Sequence, residues 1–413
     1  MKNSKFNVGK TYLLGFGFLG ISIIWALYNA YVPIFLKETF HLGSSVIGII
    51  MTIDNIFAIL LLPYLGALSD KTRTKLGRRR PYILIGAPLA AIFFILIPFA
   101  NIYQNLGLMM LTIILMNLSM SLFRSPVIAL MPDITPSQYR SQANGIINFM
   151  GGLGALIVYF GGKPLYDKSI SLPFIVGGII MFIASLMVVI FVKEPEIDGQ
   201  EESKKISFSK SFSALMENIK DVVKGEKSLF FILLSILFWF IGYNAIETFF
   251  TSYAKYYIGI KASTGALILG FFALTFMLTS LIAGKIGVKL GRNKTIRIGL
   301  VIVTSIMVLS MFFHSLAILI TLFVIGGIGW AFVNVNSLPM VVDMTTLEKV
   351  GGYTGLYYFF SQAANIIAPP LSGIFIDLFG YRSLMLFSSS FFVLSIITML
   401  FVKRGEVVEE NPS

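Results

Sequence analysis

Three charged side chains stand well inside long apolar stretches of this 413-residue chain: Asp54, Arg124 and Glu247. A charge at the bilayer centre costs about 2.5–3.5 kcal/mol on insertion scales, so each must line a wet path, hold a partner or take part in a reaction. A carboxylate in a low-dielectric cavity binds a proton more readily than in water, and an arginine beside it favours the ionised form. Asp54 and Arg124 together read as a pair that takes up a proton and gives it back, with Glu247 as a second candidate. The simpler reading is an ion pair that only ties two helices together.

Neutral polar groups keep these charges company. Asn117, Ser121 and Arg124 fall at i, i+4 and i+7 of one apolar stretch, and Asn244, Glu247 and Thr251 form a second stripe. Trp25 and Asn29, Asn144 and Asn148, Trp330 and Asn334, and the set Tyr358, Ser361, Gln362 and Asn365 mark four more stretches. A helix facing only lipid would carry none of these. Amides and hydroxyls exchange hydrogen bonds with ring hydroxyls, and aromatic faces cover the C–H patches of a pyranose. The inventory suits a sugar or another neutral polar solute, and each aromatic has packing as its alternative role.

The elements that must position these groups are membrane spans. Charged residues make up 13% of the chain and hydrophobic ones 56%, whereas soluble domains carry about a quarter charged. A span needs about 20 apolar residues. Such stretches fall at 11–36, 45–67, 82–101, 106–131, 142–163, 172–192, 228–254, 262–284, 295–313, 316–342, 352–376 and 382–402. The fold class expected is an all-α membrane protein, with little chain left for a soluble catalytic domain. The organisation expected is an N-terminal bundle over 1–192, a linker over 193–227, a C-terminal bundle over 228–402 and a tail over 403–413. Within the linker, Phe208, Phe212, Leu215, Ile219 and Val222 have helical spacing, which predicts an amphipathic helix on the membrane face. A tether is the preferred role over a regulatory one.

With both termini cytoplasmic, about 25 of the 32 Lys and Arg fall on that side, which is the positive-inside pattern of a multi-pass protein of the cell membrane. The net charge of +12 therefore reports topology and anionic lipid, not nucleic acid. The first span is too long for a cleaved leader and lacks a small-residue cleavage site. There is no cysteine, hence no disulfide, and neither a metal nor a cofactor is expected. His41 and His314 fall near outer span ends, where a solvated role is the simpler reading.

Residues 66–81 form a basic loop between two spans, and Gly284–Lys294 repeats it in shorter form with Val288 at the acidic position. Tyr28-Asn29-Ala30 recurs as Tyr243-Asn244-Ala245, Pro132-Asp133 through Gly145 as Val342-Asp343 through Gly355, and Tyr166-Asp167 as Ile376-Asp377. Ordered matches at nearly constant offset indicate a parallel duplication. The first loop reads as a gate built from Gly66, Asp70, Lys75, Gly77, Arg78, Arg79, Arg80 and Asp133. Lys75 and Arg78–Arg80 are expected to bridge to Asp133.

Along its whole length the chain resembles the major facilitator superfamily. The run Pro63-x-x-Gly66-x-x-Ser69-Asp70-Lys-x-Thr-x-Lys-x-Gly77-Arg78-Arg79-Arg80-Pro81, with Pro126 and Pro132, resembles that of the sucrose/proton symporters. It is also similar to that of the glycoside–pentoside–hexuronide cation symporters. The resemblance implies twelve helices in two pseudo-symmetric six-helix bundles around a central cavity. It implies alternating-access uptake of a sugar or glycoside with a proton, by a monomer with no enzyme activity. It also implies that Asp70 lies near the helix start at Gly351–Gly352, whose positive end it would meet. The chain departs from these branches at Ala58 and Leu62, where sodium symporters carry acids, and at Asn117 and Ile128, where sucrose symporters carry Asp and Arg. Arg124 lies one turn from that Arg position.

Two other readings compete. An efflux antiporter for amphipathic compounds fits the same architecture and the high Phe and Met content. An integral-membrane enzyme such as a lipid-linked transferase would need an acid, base or metal cluster at the membrane surface, and Asp133 and Asp343 do not suggest one. No nucleotide-binding motif is present, which disfavours an ATP-driven pump.

Overall fold

In lipid a backbone has no water to bond, so each apolar stretch must satisfy its own N–H and C=O groups, and a helix does this within one segment. The structure, a computed structural model, describes residues 7–136, 139–194, 227–344 and 350–405. The helices are α1 (Val8–Glu38), α2 (Ser44–Lys71), α3 (Arg80–Ile102), α4 (Leu106–Ile134), α5 (Arg140–Lys168) and α6 (Leu172–Phe191), then α7 (Lys227–Tyr253), α8 (Ala262–Leu290), α9 (Arg292–Leu309), α10 (Leu316–Val342), α11 (Val350–Phe379) and α12 (Ser383–Leu400). A π-helical turn, Ala254–Ile258, closes α7. Among the described residues, eleven of these helices are long and apolar enough to cross a membrane. The twelfth, α9, has Arg292, Lys294 and Arg297 in its first two turns. The amphipathic helix expected over Phe208–Val222 lies outside the described residues, as does the end of the tail.

The chain divides into two compact units, Met1–Leu42 with Ile53–Lys205, and Gly43–Thr52 with Ile206–Ser413. Packing inside them follows one plan. In unit one α1 packs on α5 and α6, and α3 on α4 and α6; in unit two α7 packs on α11 and α12, and α9 on α10 and α12. Substituting each helix by the one six places later turns the first set into the second. This is the duplication read from the repeated motifs, expressed as helix contacts. Small residues let the crossings close up, since packing rather than hydrophobicity holds helices together in lipid. A side chain at Gly154 would strike the Leu19 carbonyl of α1, and one at Gly299 the Gly329 carbonyl of α10.

Helix α2 is divided between the units. Its first turns, Ser44–Thr52, group with unit two, where Gly48 meets the Pro369–Pro370 backbone of α11 and Gly373 meets that of Ser44. The Asp377 carboxylate accepts the N–H of Ser44 at 2.6 Å, the N–H of Ser45 at 2.8 Å and the Ser45 hydroxyl at 2.7 Å. A carboxylate on the first free N–H groups of a helix caps it and meets its positive end. The equivalent acid of unit one, Asp167, instead takes the ammonium of Lys163 at 2.7 Å.

Candidate functional site

Unit one gathers the charged candidates. Asp54 is half-buried on α2, where the Asn55 amide donates to it at 3.0 Å. Arg124 is half-buried on α4 and close enough to feel the Asp54 charge. Tyr28 on α1 is fully buried, with its hydroxyl beside Asn117 and within range of the same carboxylate. Yet among the described residues that hydroxyl makes no properly directed hydrogen bond, and neither do Oδ1 and Nδ2 of Asn117 or Nε1 of Trp25. Trp25 meets Tyr28 edge-on at 5.8 Å. Each buried polar group left unpaired costs about 1–3 kcal/mol, and Asp54 lies within electrostatic range of both Tyr28 and Arg124.

The other candidates of this unit differ in exposure and bonding. The Ser121 hydroxyl is committed to the Asn117 carbonyl of its own helix at 3.0 Å. Asn144 and Asn148 stand exposed on α5, and Asn29 is half-buried on α1.

Unit two gathers amides and rings. The Asn244 amide on α7 donates to Asn365 on α11 at 2.6 Å, and Asn365 donates to Gln362 at 3.0 Å. Trp330 on α10, nearly inaccessible, stacks flat on Tyr243 at 4.4 Å and meets Phe240 edge-on at 5.7 Å. Glu247 is half-buried one turn along α7 from Asn244, and Asn334 is half-buried one turn along α10 from Trp330. Ser361 is committed to the Tyr358 carbonyl at 3.0 Å, and Tyr358 itself is exposed. The repeated Tyr-Asn-Ala thus serves two chemistries: Tyr28 sits among charges, whereas Tyr243 is one half of an aromatic stack.

The basic loop is folded around Arg79, whose side chain is only 5% exposed. Its guanidinium pairs with Asp70, meets Asp133 at 3.1 Å, and donates to the Gly66 carbonyl at 3.1 Å and to the Ser69 hydroxyl. Arg78 reaches Asp133 at 2.6 Å and Asp70 at 3.8 Å. Arg80 and Lys75 behave otherwise than expected. Arg80 starts α3 beside the end of α6, so its side chain donates to the Val189 carbonyl at 2.6 Å and to Leu76 at 3.2 Å. Lys75 is exposed, and no ion pair to it occurs among the described residues. The expected meeting of Asp70 with the Gly351–Gly352 helix start involves Gly351, whose surroundings lie outside the description.

Sequence reasoning passed over Glu194. Its carboxylate accepts the backbone N–H groups of Arg78, Arg79 and Arg80 at 2.8, 2.8 and 2.9 Å, capping α3 from the residues that follow α6. Gly77 makes room for it: its φ is +107°, and a side chain there would come within 2.6 Å of the Glu194 carboxylate. The signal was an acid beside a basic loop, which on a polar linker reads as solvated. In unit two the shorter loop uses Arg292, which pairs with Asp343, and Asn293, which donates to the Val402 carbonyl at 2.6 Å.

Comparison with known proteins places this arrangement. Residues 14–304 and 254–413 match the family model described as Major Facilitator Superfamily. The chain is 29% identical over 199 residues to multidrug resistance protein 2 of Bacillus subtilis (strain 168), an alignment covering 47% of this chain and 48% of that protein. It is 23% identical over 297 residues to the isoprimeverose transporter of Lactiplantibacillus pentosus, covering 68% and 59%. The matches thus span about half the length of these relatives. The solved nucleoside transporter NupG shares the fold, with a TM-score of 0.72, 15% identity, and 96% and 100% of the two chains covered. Twelve long helices among the described residues, in two like-packed units and matched by the family model from residue 14 to the last, make this chain an integral, multi-pass member of the major facilitator superfamily of transporters.

Proposed function

We propose that this transporter carries a neutral hydroxylated solute, a sugar or glycoside, together with a proton by alternating access. The observation that carries the reading is the group of buried polar atoms on Trp25, Tyr28 and Asn117 that make no well-directed hydrogen bond among the described residues, with Asp54 within electrostatic range of both Tyr28 and Arg124. A hydroxylated guest supplies both donors and acceptors to such atoms. Asp54 takes the proton: while it is protonated, Arg124 is free to bind solute, and once solute leaves, Arg124 pairs with the carboxylate and the proton departs. Glu247 is the reserve candidate. The isoprimeverose transporter's name supports the substrate class, as does the loop resembling the sugar symporters. Both termini lie at the cytoplasmic face of the cell membrane, and the working unit is the monomer.

A second reading, proton-driven efflux of amphipathic compounds, is favoured by the stack of Tyr243, Trp330 and Phe240 in unit two and by the multidrug relative. Proteoliposomes separate the two. A counterflow screen of monosaccharides, disaccharides and amphipathic dyes is expected to give sugar exchange, and sugar entry is expected to acidify the lumen; dye extrusion without sugar exchange overturns the proposal. Asp54→Asn should abolish accumulation against a gradient yet keep counterflow, while Arg124→Gln should impair both. If Asp54→Asn still accumulates solute with normal pH dependence, the coupling residue is elsewhere and Glu247 is the next to replace.

A further inference from the structure

Apart from its own cluster of amides and rings, unit two carries a groove of about 650 Å³ at the turn between α11 and α12. Tyr257 of the π turn, Phe379 of α11, and Leu386, Ser390 and Phe391 of α12 are among its walls, and Arg382 is its one charged lining residue. Phe379 and Leu386 are more than half exposed. Arg382 donates through Nε to the Phe379 carbonyl at 3.3 Å, and no acidic side chain pairs with it among the described residues.

The dimensions identify what fits. From Arg382 to Phe391 the helix rises about 13 Å at 1.5 Å per residue, close to half of a ~30 Å hydrocarbon core. The groove therefore runs from the interface, where the charged turn must lie, to the depth of one leaflet. Aromatic and aliphatic walls over that depth match an acyl chain, and a cation at the mouth selects a negative head group. An amphipathic cation would meet Arg382 as a like charge, and a sugar would find few polar side chains for its hydroxyls along these walls. We propose that this groove holds one acyl chain of an anionic phospholipid from the surrounding bilayer, with the lipid phosphate on Arg382.

The test is native mass spectrometry of the full chain released from detergent with phosphatidylglycerol and phosphatidylcholine of identical acyl chains. Wild type should retain phosphatidylglycerol severalfold over phosphatidylcholine. Arg382→Gln should erase that preference while keeping the weaker phosphatidylcholine adduct, Arg382→Lys should keep most of it, and Ser390→Trp, which fills the groove, should lose both adducts. Equal retention of the two lipids by wild type overturns the proposal, and that comparison stands even where a variant fails to fold. So does an undiminished preference in folded Arg382→Gln, or displacement of the lipid by glycerol phosphate alone, which would make this a head-group site without an acyl chain.

Discussion

Asn117 is a residue where the proposed function and stability pull in opposite directions. It is 1% exposed, and among the described residues neither polar atom of its amide makes a well-directed hydrogen bond. A buried orphan of this kind costs about 1–3 kcal/mol, and proteins keep such groups where function needs them. Replacing Asn117 with Leu, of similar volume, removes the orphan atoms and, on the proposed function, one contact to solute. Thermal melting of the purified variant should therefore equal or exceed wild type, while counterflow falls about tenfold or more, the equivalent of losing roughly 1.4 kcal/mol. A variant that melts early and still transports would mean the amide is structural. Asn117 was legible in the sequence because an amide is conspicuous among Leu and Met. Tyr28 was not: a tyrosine in a span is common, and only the tertiary structure brings its hydroxyl to Asn117 and within electrostatic range of Asp54.

At the scale of elements, the spans were read from apolar runs, and most ends fell within a few residues of the observed ones. What the runs did not contain was who caps whom. The first turn of α3 is capped by Glu194, from beyond α6, and the first turn of α2 by Asp377, from α11. Both acids sit where a one-dimensional reading assigns them to solvent. Glu194→Ala leaves three backbone donors facing no acceptor and one face of the basic loop without its counter-charge. It should lower the unfolding free energy by about 1–3 kcal/mol, read as an earlier melting transition, and Glu194→Gln should recover part of the loss. An unchanged melting curve for Glu194→Ala would show that the contact is idle. Arg79 answers to the same logic from inside: with two carboxylates, one carbonyl and one hydroxyl on its guanidinium, it is the residue that gives the loop its shape.

Across the whole molecule, duplication preserved the helix packing and let the chemistry diverge. Unit one holds the carboxylate, guanidinium and orphan hydroxyl; unit two holds the chain of amides and the stacked rings. Changes to the unit-two stack should therefore alter recognition alone, whereas changes to the unit-one cluster should alter recognition and drive together. Trp330→Ala, which removes one face of the Tyr243 stack, is expected to raise the KM for solute while leaving the pH dependence of accumulation as in wild type. A shifted pH profile with unchanged KM would reverse that assignment. The repeat was visible as motifs, but the division of labour was not, because Tyr-Asn-Ala is the same three letters in both halves. The Asp377 cap on α2 has a consequence for how the molecule is made. Its two partners, Ser44 and Asp377, are 333 positions apart, and a ribosome adding about 5–20 residues per second needs roughly 17–67 s to cover that stretch. Throughout that interval the start of α2 waits in the membrane for an acid not yet synthesised, so the second helix to be inserted is among the last to be finished, and a chain cut short before α11 cannot finish it.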